Sequence, residues 1–247
     1  MKRYAYTILF IILLFLVCEI IANMIALSFI LPTPTQIMIK LWDLRETLFL
    51  HHLLATFKII IVCLSISVIV AILLAVGMNL SKKLEDILYP ILLTSQTIPI
   101  IILAPIFVLW FGYSLWSKVL VTIVITFFPL TVTTFDGFRT TNSELKSLLR
   151  TMGATKRDIF IKLEIPSALP YFFSGLKVAI PMSVVGAAIG EWLGADEGLG
   201  YFSRRMMSQF DGAGVFAPVV VLSVLGILMF GIVVLIEKHL FKWREDK

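Results

Sequence analysis

The chain has 247 residues, of which 59% are hydrophobic and only 15% charged, with a formal net charge of +5 and a mean hydropathy of +0.99. A soluble domain carries roughly a quarter of its residues as charged side chains, so this composition excludes a soluble protein and places the chain in a bilayer. The positive balance bears on orientation and the membrane surface and is poor evidence for a nucleic-acid partner.

Six apolar runs, residues 7–30, 52–77, 87–110, 117–137, 168–190 and 215–236, each come near the roughly 20 residues a helix needs to cross hydrocarbon. An even number returns the chain to its starting side. Of the 21 Lys and Arg, fourteen lie at the amino end, in the 78–86 and 138–167 loops and in the tail; five lie on the other side, and Lys58 and Lys177 fall within spans. This bias predicts both termini and the long basic loop in the cytoplasm. The expected fold class is all-α integral membrane with six transmembrane helices. It divides into an N-terminal helix with an external interfacial segment (1–49), a transmembrane domain (50–236) and a basic tail (237–247).

The first run follows Lys2 and Arg3 as a signal peptide would. Its length, the lack of a small-x-small cleavage site and the parity of spans predict a retained helix. Glu19 within it has no evident partner. Cys18 and Cys63 lie in apolar runs and read as packing residues, not as a disulfide or metal pair. Leu31-Pro32-Thr33-Pro34-Thr35 breaks the helix, and residues 36–49 are expected along the outer interface. His51 and His52 have no Cys or His companions at ligand spacing, so they read as interface residues and no metal site is expected. Lys58 is expected to snorkel outward.

In the third run, Pro99 and Pro105 predict a kinked or interrupted helix, serving either a pathway or a packing bend. Polar groups at membrane depth are costly unless they line a route or are satisfied internally. Gln96, Thr97, Ser183 and Glu191 are therefore candidates for a solute route, with internal hydrogen bonding as the competing reading. Lys177 either reaches a cytoplasmic cavity or snorkels to the interface.

The 138–167 loop has a pattern of its own. Leu145, Leu148, Leu149 and Met152 recur at i, i+3, i+4 and i+7, an apolar stripe on a helix too short to cross, and such a stripe needs a partner. Gly153 permits a sharp change of direction, and Thr155 with Asp158 resembles a capping box starting a second helix at Lys156. Pro166 and Pro170 are expected to end that helix. Ile159, Phe160 and Leu163 would hold it to the bundle, leaving Arg150, Lys156 and Arg157 for a partner surface. An amphipathic hairpin on anionic lipid is the alternative.

Further on, Gly186, Gly190, Gly194 and Gly198 with Ala179, Ser183 and Ala187 form small-residue stripes, facing either a second copy at a dimer axis or spans of the same bundle. Gly212-x-Gly214-x-x-Ala217 resembles a dinucleotide fingerprint but lacks the βαβ context. The sequence contains no G-x-x-x-x-G-K-[ST], so this chain holds no ATP through a P-loop, and no cofactor is expected in it.

The frame Gly153, nine residues, Leu163, one residue, Ile165-Pro166 resembles the coupling motif E-A-A-x3-G-x9-I-x-L-P of ATP-binding-cassette (ABC) importer permeases. Ser147-Leu148-Leu149 stands where the family has its opening triplet, so the family glutamate is missing, although Glu144 lies one helical turn earlier. The L-P-x-P at 31–34 resembles the entry of sulfonate, taurine and nitrate permeases. Ala168-Leu169-Pro170-Tyr171 with Ser174-Gly175-Leu176-Lys177-Val178-Ala179 looks like the family's continuation into the next span. Gly190-Glu191-Trp192-Leu193-Gly194-Ala195 and Gly198-Leu199-Gly200-Tyr201 resemble the external segment of sulfonate, nitrate and thiamine-precursor permeases. The resemblance covers roughly residues 50–236.

It implies a type I ABC importer permease fold in a bacterial cytoplasmic (inner) membrane, with cytoplasmic coupling helices in region 143–166. It also implies a second permease copy as a homodimer, cytoplasmic ATPase subunits that carry ATP and Mg, and an external solute-binding protein. Ser147, Leu148, Leu149, Arg150, Met152, Gly153, Ala154, Lys156, Arg157 and Pro166 then become the ATPase-coupling residues. The implied solutes are a thiamine pyrimidine precursor or related heterocycle, or a sulfonate, taurine or nitrate-like anion. The spans offer no arginine cluster, which favours the heterocycle. Two other classes compete: a stand-alone ion-coupled secondary transporter, expected to show repeats or intramembrane ion sites, and an intramembrane enzyme, which needs a nucleophile with its base.

Overall fold

The computed structural model describes residues 2–25 and 27–241. Helix α1 (Lys2–Ile25) exposes nearly all its large apolar side chains from Tyr6 onward, the surface of a lipid-facing helix. Glu19 does have a partner: its carboxylate accepts the Thr35 N–H at 3.0 Å and ties α1 to the next element. Helix α2 (Pro34–Asp43) starts from a capping box between Thr33 and Gln36 with Pro34 in its first turn. It exposes Met38, Ile39 and Trp42, and Lys40 pairs with Asp211 at 2.6 Å.

The interfacial segment ends sooner than Phe49. Helix α3 (Arg45–Thr47), a π turn (Leu48–His52) and α4 (Leu53–Leu80) form one continuous rod from Arg45 to Leu80.

The run 87–110 is two helices, α5 (Lys82–Ser95) and α6 (Ile100–Phe111), bent by 99°. The break falls at Pro99, the N-cap of α6, because proline lacks an N–H and drives the preceding residue out of helical geometry. Pro105 lies within α6 and Pro90 within α5 without interrupting either. Among the described residues five helices are long and apolar enough to cross a membrane, and the bent pair makes a sixth span.

Helix α7 (Leu115–Arg139) is the axis of the bundle, packed against α4, α6 and α10. Its threonines satisfy themselves in a medium without water: Thr122, Thr126, Thr131 and Thr134 each donate to the carbonyl four residues back, at 2.6–2.9 Å. Thr126 also meets Ser67 at 2.7 Å and Cys63 at 3.3 Å, closing a buried polar contact between α4 and α7. Cys18, by contrast, is exposed on α1.

After α8 (Ser143–Thr151), helix α9 (Lys156–Ile159) passes through a second π turn (Phe160–Glu164) into α10 (Ile165–Gly194). Pro166 and Pro170 therefore do not end the second short helix; it is the base of the fifth span. The Ile165 N–H already reaches back five residues to Phe160, so the hydrogen-bond ladder has shifted register where Pro166 contributes no donor. Helix α11 (Leu199–Ser208) leads to α12 (Gly212–Leu240). The tail expected from 237 thus begins after Leu240, and Lys242, Arg244 and Lys247 lie outside the described residues.

The glycine stripe is resolved in favour of packing within the bundle. A Cβ on Gly186 would stand 2.9 Å from the Thr122 Cα, and one on Gly190 3.0 Å from the Lys118 Cα, so α10 lies backbone-to-backbone on α7. That face is closed to a second copy. Gly194 turns toward Val108 of α6, and Gly198 has left the helix.

Candidate functional site: the coupling turn and the outer latch

Asn142 sets the start of α8 by accepting the N–H groups of Glu144 and Leu145 at 2.8 and 3.2 Å. The helix stops at a left-handed turn in which Gly153 has φ +85°, its N–H bonded to Arg150 and that of Ala154 to Leu149. A Cβ there would meet nothing within 4 Å, so the turn demands the backbone angle and not the space. Thr155 and Asp158 then form the expected capping box.

Leu145, Leu148 and Met152 remain 45%, 54% and 74% exposed, an apolar stripe that the chain itself does not cover. Ser147, Arg150, Gly153, Lys156 and Arg157 are exposed beside it, with Leu149 and Ala154 half-buried. The structure gathers these residues on one protruding turn. Pro166 is exposed but stands about 15 Å up the α9–α10 rod at 1.5 Å per residue.

The turn is anchored by side chains that spacing gave no reason to single out. The Lys146 ammonium of α8 pairs with Glu164 Oε1 at 2.7 Å, and Asn79 Nδ2, at the end of α4, donates to Glu164 Oε2 at 2.7 Å. Glu164 sits in the π turn, where the extra residue per turn changes which side chains face α4 and α8. Asn79 and Glu164 are 85 residues apart, and no local pattern connects them. Ile159 is buried beneath the turn, and Phe160 stacks on Phe138 with ring centroids 5.9 Å apart. Lys177 pairs with Glu237 of α12 at 2.8 Å.

The four candidate route residues are not brought together. Gln96 and Thr97 are exposed at the α5–α6 bend. Ser183 is fully buried and donates to the Ile180 carbonyl at 2.6 Å. Glu191 is fully buried as well and belongs to a different device.

That device joins three elements at the start of α11. The N–H of Gly198 donates to His52 Nδ1 at 3.1 Å, that of Leu199 to Thr56 Oγ1 at 2.9 Å, and that of Gly200 to Glu191 Oε2 at 2.7 Å. The opening N–H groups of a helix have no partner within it, and here three consecutive amides are taken by side chains from the first π turn, α4 and α10. Gly198, at φ +110°, is required twice, since a Cβ would also run into the Glu191 carboxylate. His52 is thus a buried acceptor.

Between α6, α10 and α12 lies an apolar cavity of about 710 Å³, lined by residues that include Ile101, Pro181, Val185, Trp192, Leu222 and Phe230.

Residues 67–242 match the family described as binding-protein-dependent transport system inner membrane component. The chain belongs to this permease family. It is 54% identical, over 97% of its length and 96% of the relative's, to the formylaminopyrimidine transport permease protein of Halalkalibacterium halodurans. It is 31% identical to the riboflavin transport system permease protein of Chloroflexus aurantiacus, over 89% of this chain and 82% of that one. It is 23% identical to the taurine transport system permease protein of Escherichia coli, over 87% and 81%. The protein is an ABC importer permease with the type I fold, a multi-pass inner-membrane transport component. A stand-alone ion-coupled carrier and an intramembrane enzyme are set aside with that membership.

Proposed function

We propose that this permease imports a thiamine pyrimidine precursor of the formylaminopyrimidine class. The observation that carries the substrate is the 54% identity along nearly the whole chain to a permease named for that solute. The more distant taurine permease, at 23%, supports the anion reading less.

In this reading two copies of the chain form the pathway, an external binding protein delivers the solute, and cytoplasmic ATPase subunits hold ATP and Mg. Both termini and the coupling turn lie in the cytoplasm, in keeping with the fourteen basic residues assigned to that side against five on the other.

The α8 stripe with Arg150, Lys156 and Arg157 forms the contact with the ATPase, and closure of the two ATPases pushes on α8. Because α9 is continuous with α10, that push reaches the fifth span directly. The two permease halves then rotate and expose the route to alternate sides. Uptake of labelled formylaminopyrimidine by proteoliposomes holding the permease, its ATPase and its binding protein tests the assignment. ATP-dependent accumulation competed by the unlabelled pyrimidine is expected; accumulation of taurine but not of the pyrimidine would replace the substrate.

A further inference from the structure

Gly198 stands between two titratable side chains of the outer latch. Its N–H donates to His52 Nδ1 at 3.1 Å, and its Cα faces the Glu191 carboxylate so closely that a Cβ would collide with it. A ring nitrogen that accepts carries no proton, so the imidazole is neutral with its hydrogen on Nε2. Phe202 packs on the ring with centroids 4.9 Å apart and fixes which edge meets the loop. Glu191 Oε2 accepts the Gly200 N–H at 2.7 Å, whereas Oε1 is buried and has no hydrogen-bond partner among the described residues.

A buried oxygen without a donor calls for a physical reason, and Gly198 supplies one. The imidazole able to donate to Oε1 is kept apart by the glycine and spends Nδ1 on the glycine's own amide. A proton on Nδ1 reverses that arrangement. An imidazolium has two N–H donors and no acceptor, so it meets the Gly198 N–H donor to donor, and a buried amide that loses its acceptor is destabilised. Withdrawal of Gly198 relieves the conflict and lets the Nδ1–H reach Glu191 Oε1 as a charge-assisted hydrogen bond. Each arrangement satisfies a group that the other leaves open, the condition for a two-state element.

We infer that the outer latch is a proton-operated switch, closed with Gly198 held by a neutral His52 and open with Gly198 withdrawn and a protonated His52 paired to Glu191. The proton comes from the water on that side of the membrane and returns to it on closing. The other charged and titratable groups in range of the ring are His51 beside it, Arg205 and Tyr201 of α11, and Glu197 of the 195–198 loop; Lys118 of α7 is in range of Glu191. Lys58 and Asp196 line the adjoining cavity with Lys118 and Glu197. Glu191 belongs to α10, which continues from the coupling turn, so an open latch frees the outer end of the helix that the ATPase stroke drives; this consequence alone rests on the importer reading above.

Hydrogen–deuterium exchange of the purified permease in nanodiscs reads the switch without solute, ATPase or binding protein. Protection of the amides of Gly198, Leu199 and Gly200, corrected for the pH dependence of intrinsic exchange, is followed from about pH 8 to about pH 5, a range that brackets the ordinary histidine value of about 6.5. Uptake of one proton on opening raises the ratio of open to closed latch by up to about tenfold per pH unit, and wild-type protection is expected to fall toward acid by up to that slope. His52→Gln keeps a side-chain acceptor for Gly198 but takes up no proton, and its protection is expected to stay flat. Glu191→Gln removes the carboxylate that receives the imidazolium, and its fall is expected at lower pH than in the wild type.

Flat protection in the wild type, or an equal fall in His52→Gln, overturns the switch, the second result assigning the titration to another group. If His52→Gln fails to fold, nitrogen NMR of His51→Gln with His239→Gln decides, because His52 is then the single histidine left of three. Its Nδ1 is expected to be bare at the alkaline end and protonated where protection is lost. A ring that stays neutral to the acid end, or that already carries its proton on Nδ1 at the alkaline end, overturns the inference.

Discussion

Glu164→Gln isolates the strut beneath the coupling turn, because it removes a charge while keeping the volume and an acceptor for Asn79. Glu164 and Lys146 are 14% and 24% exposed and 2.7 Å apart. The pair therefore lies between an open surface pair, worth about 0–1 kcal/mol, and a buried one, whose rupture costs about 3–5 kcal/mol. An intermediate loss of about 1–2 kcal/mol lowers the ratio of docked to undocked α8 by roughly 5- to 30-fold. Each ATPase stroke then moves α8 without moving α10. The assay is paired: nucleotide hydrolysis and solute uptake by the same proteoliposomes. Uptake per ATP is expected to fall by up to that factor while hydrolysis continues, and the swap Lys146→Glu with Glu164→Lys is expected to restore part of it. An unchanged ratio in Glu164→Gln, or a parallel fall of uptake and hydrolysis that the swap does not rescue, would refute the strut.

At the turn itself, Gly153→Pro forces φ near −65° where the chain needs +85° and deletes the N–H bonded to Arg150; hydrolysis without uptake by an inserted protein is expected, and normal coupled transport would defeat the assignment. Gly198→Ala combines left-handed strain of about 1–2 kcal/mol with a collision against the Glu191 carboxylate, so the purified permease should melt at a clearly lower temperature; an unchanged melt contradicts the latch. Burial alone would raise the Asp211 carboxyl, but Lys40 and the Gly214 N–H together hold it below its ordinary value of 3.8. Its contribution to docking α2 on α12 is therefore complete above pH 3.8 and lost as pH falls through the lower native value. Asp211→Asn should accelerate amide exchange in α2 up to about fivefold at pH 7, the difference from wild type vanishing in acid; equal exchange at pH 7 counts against the pair.

The amino-acid sequence by itself determined whatever rests on solvent transfer or on neighbours within one helical turn. The apolar runs had to become helices in hydrocarbon, where every backbone group must bond internally, and the spans follow them apart from shifted ends. The exposed α8 stripe, the left-handed turn at Gly153 and the Thr155–Asp158 capping box are all local, and all were readable. Pro99 as the point of interruption was readable for the same reason.

Tertiary structure decided what depends on partners far away in sequence. Pro166 and Pro170 look like helix ends locally, yet a π turn shifts the ladder and the helix continues, which joins the coupling turn to the fifth span. The glycines of α10 could have served a dimer axis equally well until α7 was seen lying on them. Glu19, His52, Lys177 and Glu191 were isolated polar residues in the sequence, and each acquires its meaning from a group 9 to 146 residues distant. Composition can state that a charge in a membrane protein must be answered, but only the packing of the helices selects the atom that answers it.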